Sequence, residues 1–142
     1  MYLWKHGCWE TYGSVTALIN QTKLKMTDNP DSLMHKISGK FGEVNGRVAF
    51  EAAKAGDKAG LEVVEKYTEY VADGITSVIN IFEPEILVIG GGISKEGEYL
   101  LNPIRKFVEI NEFNKYRPKT KIEIASLNND AGIIGAALSA NR

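Results

Sequence analysis

The chain has 142 residues, 44% of them apolar and 25% charged, the balance of an ordinary soluble globular domain or of a piece of one. Its formal net charge of −1 gives no electrostatic reason to expect nucleic-acid binding. No stretch approaches the roughly 18 continuous apolar residues of a membrane span, and the start lacks a basic region followed by an apolar core. The single cysteine, Cys8, excludes an intrachain disulfide and suits a reducing, cytoplasmic setting.

In chain order, Val15, Leu18 and Ile19 make a short helical stripe from Glu10 to about Gln21. Thr27-Asp-Asn-Pro-Asp31 reads as a turn, with Pro30 suited to a first helical position and a short helix from Asp31 to Ile37. Gly39, Gly42 and Gly46 mark loop. Val44 to Lys54 is a second helix, and Asp57 is placed to cap the next one. That helix is the longest, with Leu61, Val64, Tyr67, Val71, Ile75, Val78, Ile79 and Phe82 on one face. Ala72 and Gly74 are small enough to admit close contact with another element, and Pro84 stops the helix.

Ile86-Leu-Val-Ile89 then reads as a strand buried on both faces, as in parallel sheets. Gly90, Gly91 and Gly92 break it, and Ser94 is positioned to cap a following helix. Such a turn serves either a tight reversal or a ligand at the carboxyl end of the strand. Leu100 to Ile110 is amphipathic, with Pro103 tolerated only near the first turn, and residues 111–120 are polar loop. The basic residues Lys115 to Lys121 read as a solvated loop, not a phosphate patch. Lys121 to Leu127 alternates as a strand, Asn128-Asn-Asp130 is a turn, and Ala131 to Ala140 is a helix of small and aliphatic residues suited to tight packing on a sheet or beneath a ligand. About five helices against two strands, one needing neighbours on both edges, describe the back portion of a larger α/β unit.

Phosphate-loop, dinucleotide and His-Glu-x-x-His patterns are absent. Cys8 with His6 supplies too few ligands for tetrahedral zinc, and Cys8 reads as a small buried hydrophobe. Glu10 reads as an ordinary first-turn glutamate.

Taken together, however, several segments carry a family likeness. Gly7-Cys8-Trp9-Glu10 resembles the tail of the Cys-x-Cys-Gly-x-x-Gly-Cys-x-Glu signature of the ROK family (repressors, open reading frames and sugar kinases). Phe50-Glu-Ala-Ala-Lys-Ala-Gly-Asp57, Asn80 to Ser94 and Asp130-Ala-Gly-Ile-Ile-Gly-Ala-Ala137 follow in the family's order. The resemblance runs from about Gly7 to the C-terminus. It implies a truncated C-terminal part of an actin-like (ribonuclease-H-like) ATPase domain, mostly helices with a small parallel sheet remnant. It also implies ATP with Mg and a structural zinc as cofactors, and a hexose as substrate. On that resemblance Glu10 matches the sugar-contacting glutamate and Cys8 the last zinc cysteine. Gly90, Gly91 and Gly92 match the turn beside the adenosine.

The departures imply as much. The first two zinc cysteines and the zinc histidine, the Asp-x-Gly-x-Thr phosphate loop and the Asn-Asp pair carrying the general base are unmatched, so no catalytic residue is assigned. The chain alone is expected to be inert and to hold no zinc. Met-Tyr-Leu-Trp can be encoded ATG-TAT-TTG-TGG, and one base later those letters read Cys-Ile-Cys-Gly, which restores the zinc signature. A frameshift in a ROK gene is therefore the expected origin, tested by the adjacent upstream frame. The expected function is the C-terminal portion of a glucokinase-like hexose kinase. The alternatives are the sensor portion of a ROK repressor and a self-associating module with an exposed sheet edge. A homo-oligomer without membrane or nucleic-acid partners is expected.

Overall fold

The structure, a computed structural model, describes residues 7–126 and 131–139. Helices α1 (Glu10–Gly13), α2 (Val15–Asp28), α3 (Leu33–Phe41), α4 (Val48–Lys54) and α5 (Lys58–Phe82) precede strand β1 (Ile86–Ile89). A 3-10 turn (Gly92–Glu96), α6 (Glu98–Asn111), β2 (Lys121–Ile124) and α7 (Ala131–Ser139) follow. β1 and β2 pair in parallel with Ile86 opposite Lys121 and Ile89 opposite Ile124. A mostly helical chain around a small parallel sheet is what the sequence leads one to expect.

The 25-residue α5 is the spine, and α1, α2, α4 and α6 all pack on it. Val64, Tyr67, Val71, Ile75 and Ile79 on its predicted face are buried, whereas Leu61 and Phe82 at its ends are exposed. Phe50 of α4 is fully buried and meets Tyr67 edge-on, with ring centroids 6.5 Å apart. Burying each side chain of this size contributes about 1.5–3 kcal/mol. The helix ends at Phe82 ahead of Pro84, as expected, with Glu83 in the left-handed region at φ 44°. Asn114 and Arg117 hydrogen-bond the Glu83 carboxylate there and hold it below the usual carboxylate range.

Local chemistry moves several boundaries. The first predicted helix is two, because Ser14 adopts extended backbone and its hydroxyl caps α2 at the Ala17 amide. α2 then runs on to Asp28, through part of the predicted turn. Pro30 lies in the turn and not in a helix, because Ser32 caps α3. α3 continues through Gly39 to Phe41 and ends at Gly42 in the left-handed conformation. The second helix starts at Val48, after Val44. Pro103 sits in the second turn of α6, where it withholds a ladder donor. β2 ends at Ile124, short of Leu127.

β1 departs most from expectation. Leu87 and Ile89 pack against the core, but Ile86 and Val88 are each 55% exposed, so one face is uncovered. α7 is equally unsheltered, with Ile133 73% and Leu138 67% exposed, and the tight packing expected of it is not made by the described residues. The predicted turn Asn128 to Asp130, Leu127 and Ala140 lie outside the described residues. No described helix is long and apolar enough to cross a membrane.

Candidate functional site

Parallel strands direct their carboxyl ends to one side, where open α/β sheets take ligands. Gly90 to Gly92 leave β1 on that side. Gly91 has φ 85° and ψ −176°, a conformation open essentially to glycine alone, so this residue makes the turn possible. A Cβ added at Gly91 or Gly92 would meet nothing within 4 Å, which leaves the turn's backbone open to approach. Ser94 does not cap the helix that follows, contrary to expectation. It is buried inside the 3-10 turn, and its hydroxyl donates to the Gly91 carbonyl at 2.7 Å. Lys54 of α4 reaches Glu96 at 2.6 Å and ties the turn to the helical body. Sequence reasoning missed both ties, because nothing local links residue 54 to residue 96.

Below the turn lies a largely apolar cavity of about 250 Å³ whose lining includes Trp9, Tyr67, Ile75, Ile89 and Gly90. The fold therefore brings Trp9 and Gly90 to one cavity, while Glu10, Gly91 and Gly92 are not among its lining residues. Trp9 donates its indole N–H to the Tyr70 carbonyl at 2.7 Å, and Tyr67 donates its hydroxyl to the Gly13 carbonyl at 3.0 Å. Burial raises the Tyr67 hydroxyl to about 12. Glu10 opens α1, is exposed, and makes no side-chain hydrogen bond or ion pair among the described residues. Its carboxylate is free to accept hydroxyl donors.

Cys8 is a half-buried free thiol, and among the described residues no three His, Cys, Asp or Glu side chains converge. His6 lies outside those residues. His35 is committed elsewhere, with Nε2 3.1 Å from the Met26 carbonyl at the end of α2. This donor set does not fit a tetrahedral zinc.

A larger cavity of about 460 Å³ sits at the opposite, amino ends of the strands, between Glu85–Ile86 and Thr120–Lys121. The predicted basic loop borders it, but its charge is already used. Arg117 pairs with Glu83, Lys119 with Glu112, and Lys115 donates to the Glu109 and Ile110 carbonyls at the end of α6. Position on the sheet and internal neutralisation both favour the smaller cavity as the site.

A helical body on a parallel strand pair, with a glycine turn at the carboxyl end, has the architecture of part of an actin-like, sugar-kinase-type α/β domain. The ROK family profile matches residues 5–142, and the chain belongs to the ROK family. It is 35% identical over 131 residues to a glucokinase from Halalkalibacterium halodurans, covering 92% of this chain and 40% of that protein. The DNA-binding transcriptional repressor Mlc of Escherichia coli is 25% identical, over 96% of this chain and 32% of its own length. Among solved structures, a ROK glucokinase from Streptomyces griseus in complex with glucose and AMPPNP superposes with a TM-score of 0.81 at 29% identity, over 95% of this chain and 45% of that one. The chain thus spans about 40% of the length of the glucokinase it matches.

Proposed function

We propose that residues 1–142 are the C-terminal portion of a glucokinase-like ROK hexose kinase, which moves a phosphoryl group from ATP to a sugar hydroxyl. The observation that carries this reading is that Trp9, the residue before Glu10, and Gly90 line one cavity. It sits beside a 35% likeness to a glucokinase. Glu10 takes the sugar, its carboxylate accepting hydrogen bonds from two neighbouring hydroxyls. Gly90, Gly91 and Gly92 take the adenosine, with backbone close enough to touch a planar ring. The space beyond Gly91 and Gly92 is open. ATP with its Mg supplies the phosphoryl group, and the cytoplasm, where ATP is held, is the setting.

Transfer itself requires a base at the sugar hydroxyl and donors on the γ-phosphate. Neither role falls to a residue assigned here, so the described half-site binds and does not turn over. Cys8 stands where the family's last zinc cysteine would be, but its surroundings do not complete a zinc site. The sensor role of the repressors is less supported, since identity to Mlc is 25% against 35% to the glucokinase.

Titration with glucose and AMPPNP tests the reading. The expected result is weak glucose binding, on the order of millimolar, lost in E10Q, with no phosphate-dependent gain from AMPPNP over adenosine. Glucose binding that E10Q leaves unchanged would remove Glu10 from the site. Tight binding of AMPPNP relative to adenosine would show a phosphate clamp that this reading denies.

A further inference from the structure

We infer that Gly74 is a positioning residue: it forms a seat on α5 for the Trp9 indole, and through that indole it fixes the direction in which Glu10 points. The inference rests on the reading of Glu10 as the sugar contact. A Cβ on Gly74 would lie 1.9 Å from Trp9 Cε2 and 2.4 Å from Cδ2 and Cζ2, inside the indole itself. An overlap of that size is relieved only by moving the indole off α5 at this point. The ring also meets Gly13, where a Cβ would fall 3.0 Å from Nε1. The indole thus lies against two glycines 61 positions apart in the chain, and its N–H is fastened to the Tyr70 carbonyl at 2.7 Å.

A tryptophan recruited only to fill core would be buried, yet Trp9 is 48% exposed. What the contact achieves is registration. α1 is only four residues long and has no buried residue of its own, so it cannot hold its place by apolar burial. Instead it is fastened to one face of α5 at Tyr67, Tyr70 and Gly74, positions three and four residues apart. Tyr67 holds the Gly13 carbonyl, the Tyr12 ring lies 5.1 Å from the Tyr70 ring, and Gly74 takes Trp9. Glu10 follows Trp9 directly. Because its carboxylate has no partner among the described residues, its aim comes from the backbone of α1 alone. Moving the indole moves that backbone.

Amide hydrogen exchange on the 142-residue chain tests the seat, with G74A filling it, W9A emptying it and W9F keeping ring bulk without the N–H. The Gly13 and Ser14 amides, bonded to the Trp9 and Glu10 carbonyls, report α1. In G74A and W9A they are expected to exchange at least about tenfold faster, while mid-α5 amides keep their protection. W9F should fall between. Alanine is the better helix former, so G74A is not expected to unfold α5. Should it do so, W9A carries the test. Glucose titration supplies a readout that a merely structural role would not move. G74A should weaken glucose about as much as E10Q does, and adding G74A to E10Q should cost nothing further. Unchanged exchange at Gly13 and Ser14 in both G74A and W9A would overturn the inference. So would E10Q weakening glucose while G74A does not. Equal glucose binding by the parent chain and E10Q would instead count against Glu10 as sugar contact, and the exchange result would still decide whether Gly74 seats α1.

Discussion

Replacing Asp57 by alanine should remove the cap of α5 and a brace on the start of α3 at once. Oδ1 accepts from the Gly60 amide at 2.7 Å and from the Ser32 hydroxyl at 2.9 Å, while Oδ2 accepts from the Leu33 amide at 2.9 Å. One carboxylate therefore closes the N-terminus of α5 and braces the N-terminus of α3. A single lost cap costs about 0.5–2 kcal/mol. With two ends sharing the group, D57A should cost about 2–3 kcal/mol, because the Leu33 and Gly60 amides lose a charged acceptor together. For a chain of this size that is a fall in melting temperature of about 8–12 °C, read by far-UV circular dichroism. Partial burial raises the carboxyl, but hydrogen bonds from Leu33, Gly60 and Ser32 outweigh it and hold Asp57 below its usual value. The sign follows. The native group titrates below the unfolded one, so its stabilisation is complete above the unfolded value of about 3.9 and is lost as pH falls through the native value. D57N should flatten that acid limb while keeping part of the capping. A D57A protein melting within about 2 °C of the parent would refute the double-cap reasoning.

G91A should destabilise by about 1–3 kcal/mol, since φ 85° with ψ −176° is strained for any Cβ, whereas G92A, with open space around it, should melt as the parent does. Y67F leaves the Gly13 carbonyl short of a donor and should cost about 0.5–1.5 kcal/mol in urea melts. Because burial raises the Tyr67 hydroxyl to about 12, the neutral form's stabilisation is whole below the unfolded value of 10.0 and is lost as pH climbs toward 12; alkaline titration of tyrosine absorbance follows it. We propose self-association through the uncovered β1 face; V88K should then shift the size-exclusion peak toward monomer at little cost in stability, and an unshifted oligomer would exclude that face.

Much of this was legible in the chain. Asp57 at the head of α5, Pro84 at its foot and the apolar face between them are local signals, and they place the helix within a residue. The glycine turn was equally local, and its ordered company with Gly7-Cys8-Trp9-Glu10 was enough to name the family. What escaped were contacts between distant positions. Gly74 reads as a small residue suited to close contact, but only the fold reveals that the visitor is Trp9. Ser14 reads as one more helical residue until its hydroxyl is seen capping α2. Lys54 and Glu96 carry no mark of each other.

β1 shows why a correct local reading can still misjudge burial. Four apolar residues in succession, without alternation, fit a strand covered on both faces. In the fold, Leu87 and Ile89 pack against the core, and Ile86 and Val88 stand open. Exposing two β-branched residues side by side costs the apolar burial that shaped the run, about 25 cal/mol for each Å² left in water. The same holds for Ile133 and Leu138 of α7. The glycine turn continues directly from β1, so a layer packed over Val88 would lie next to that turn.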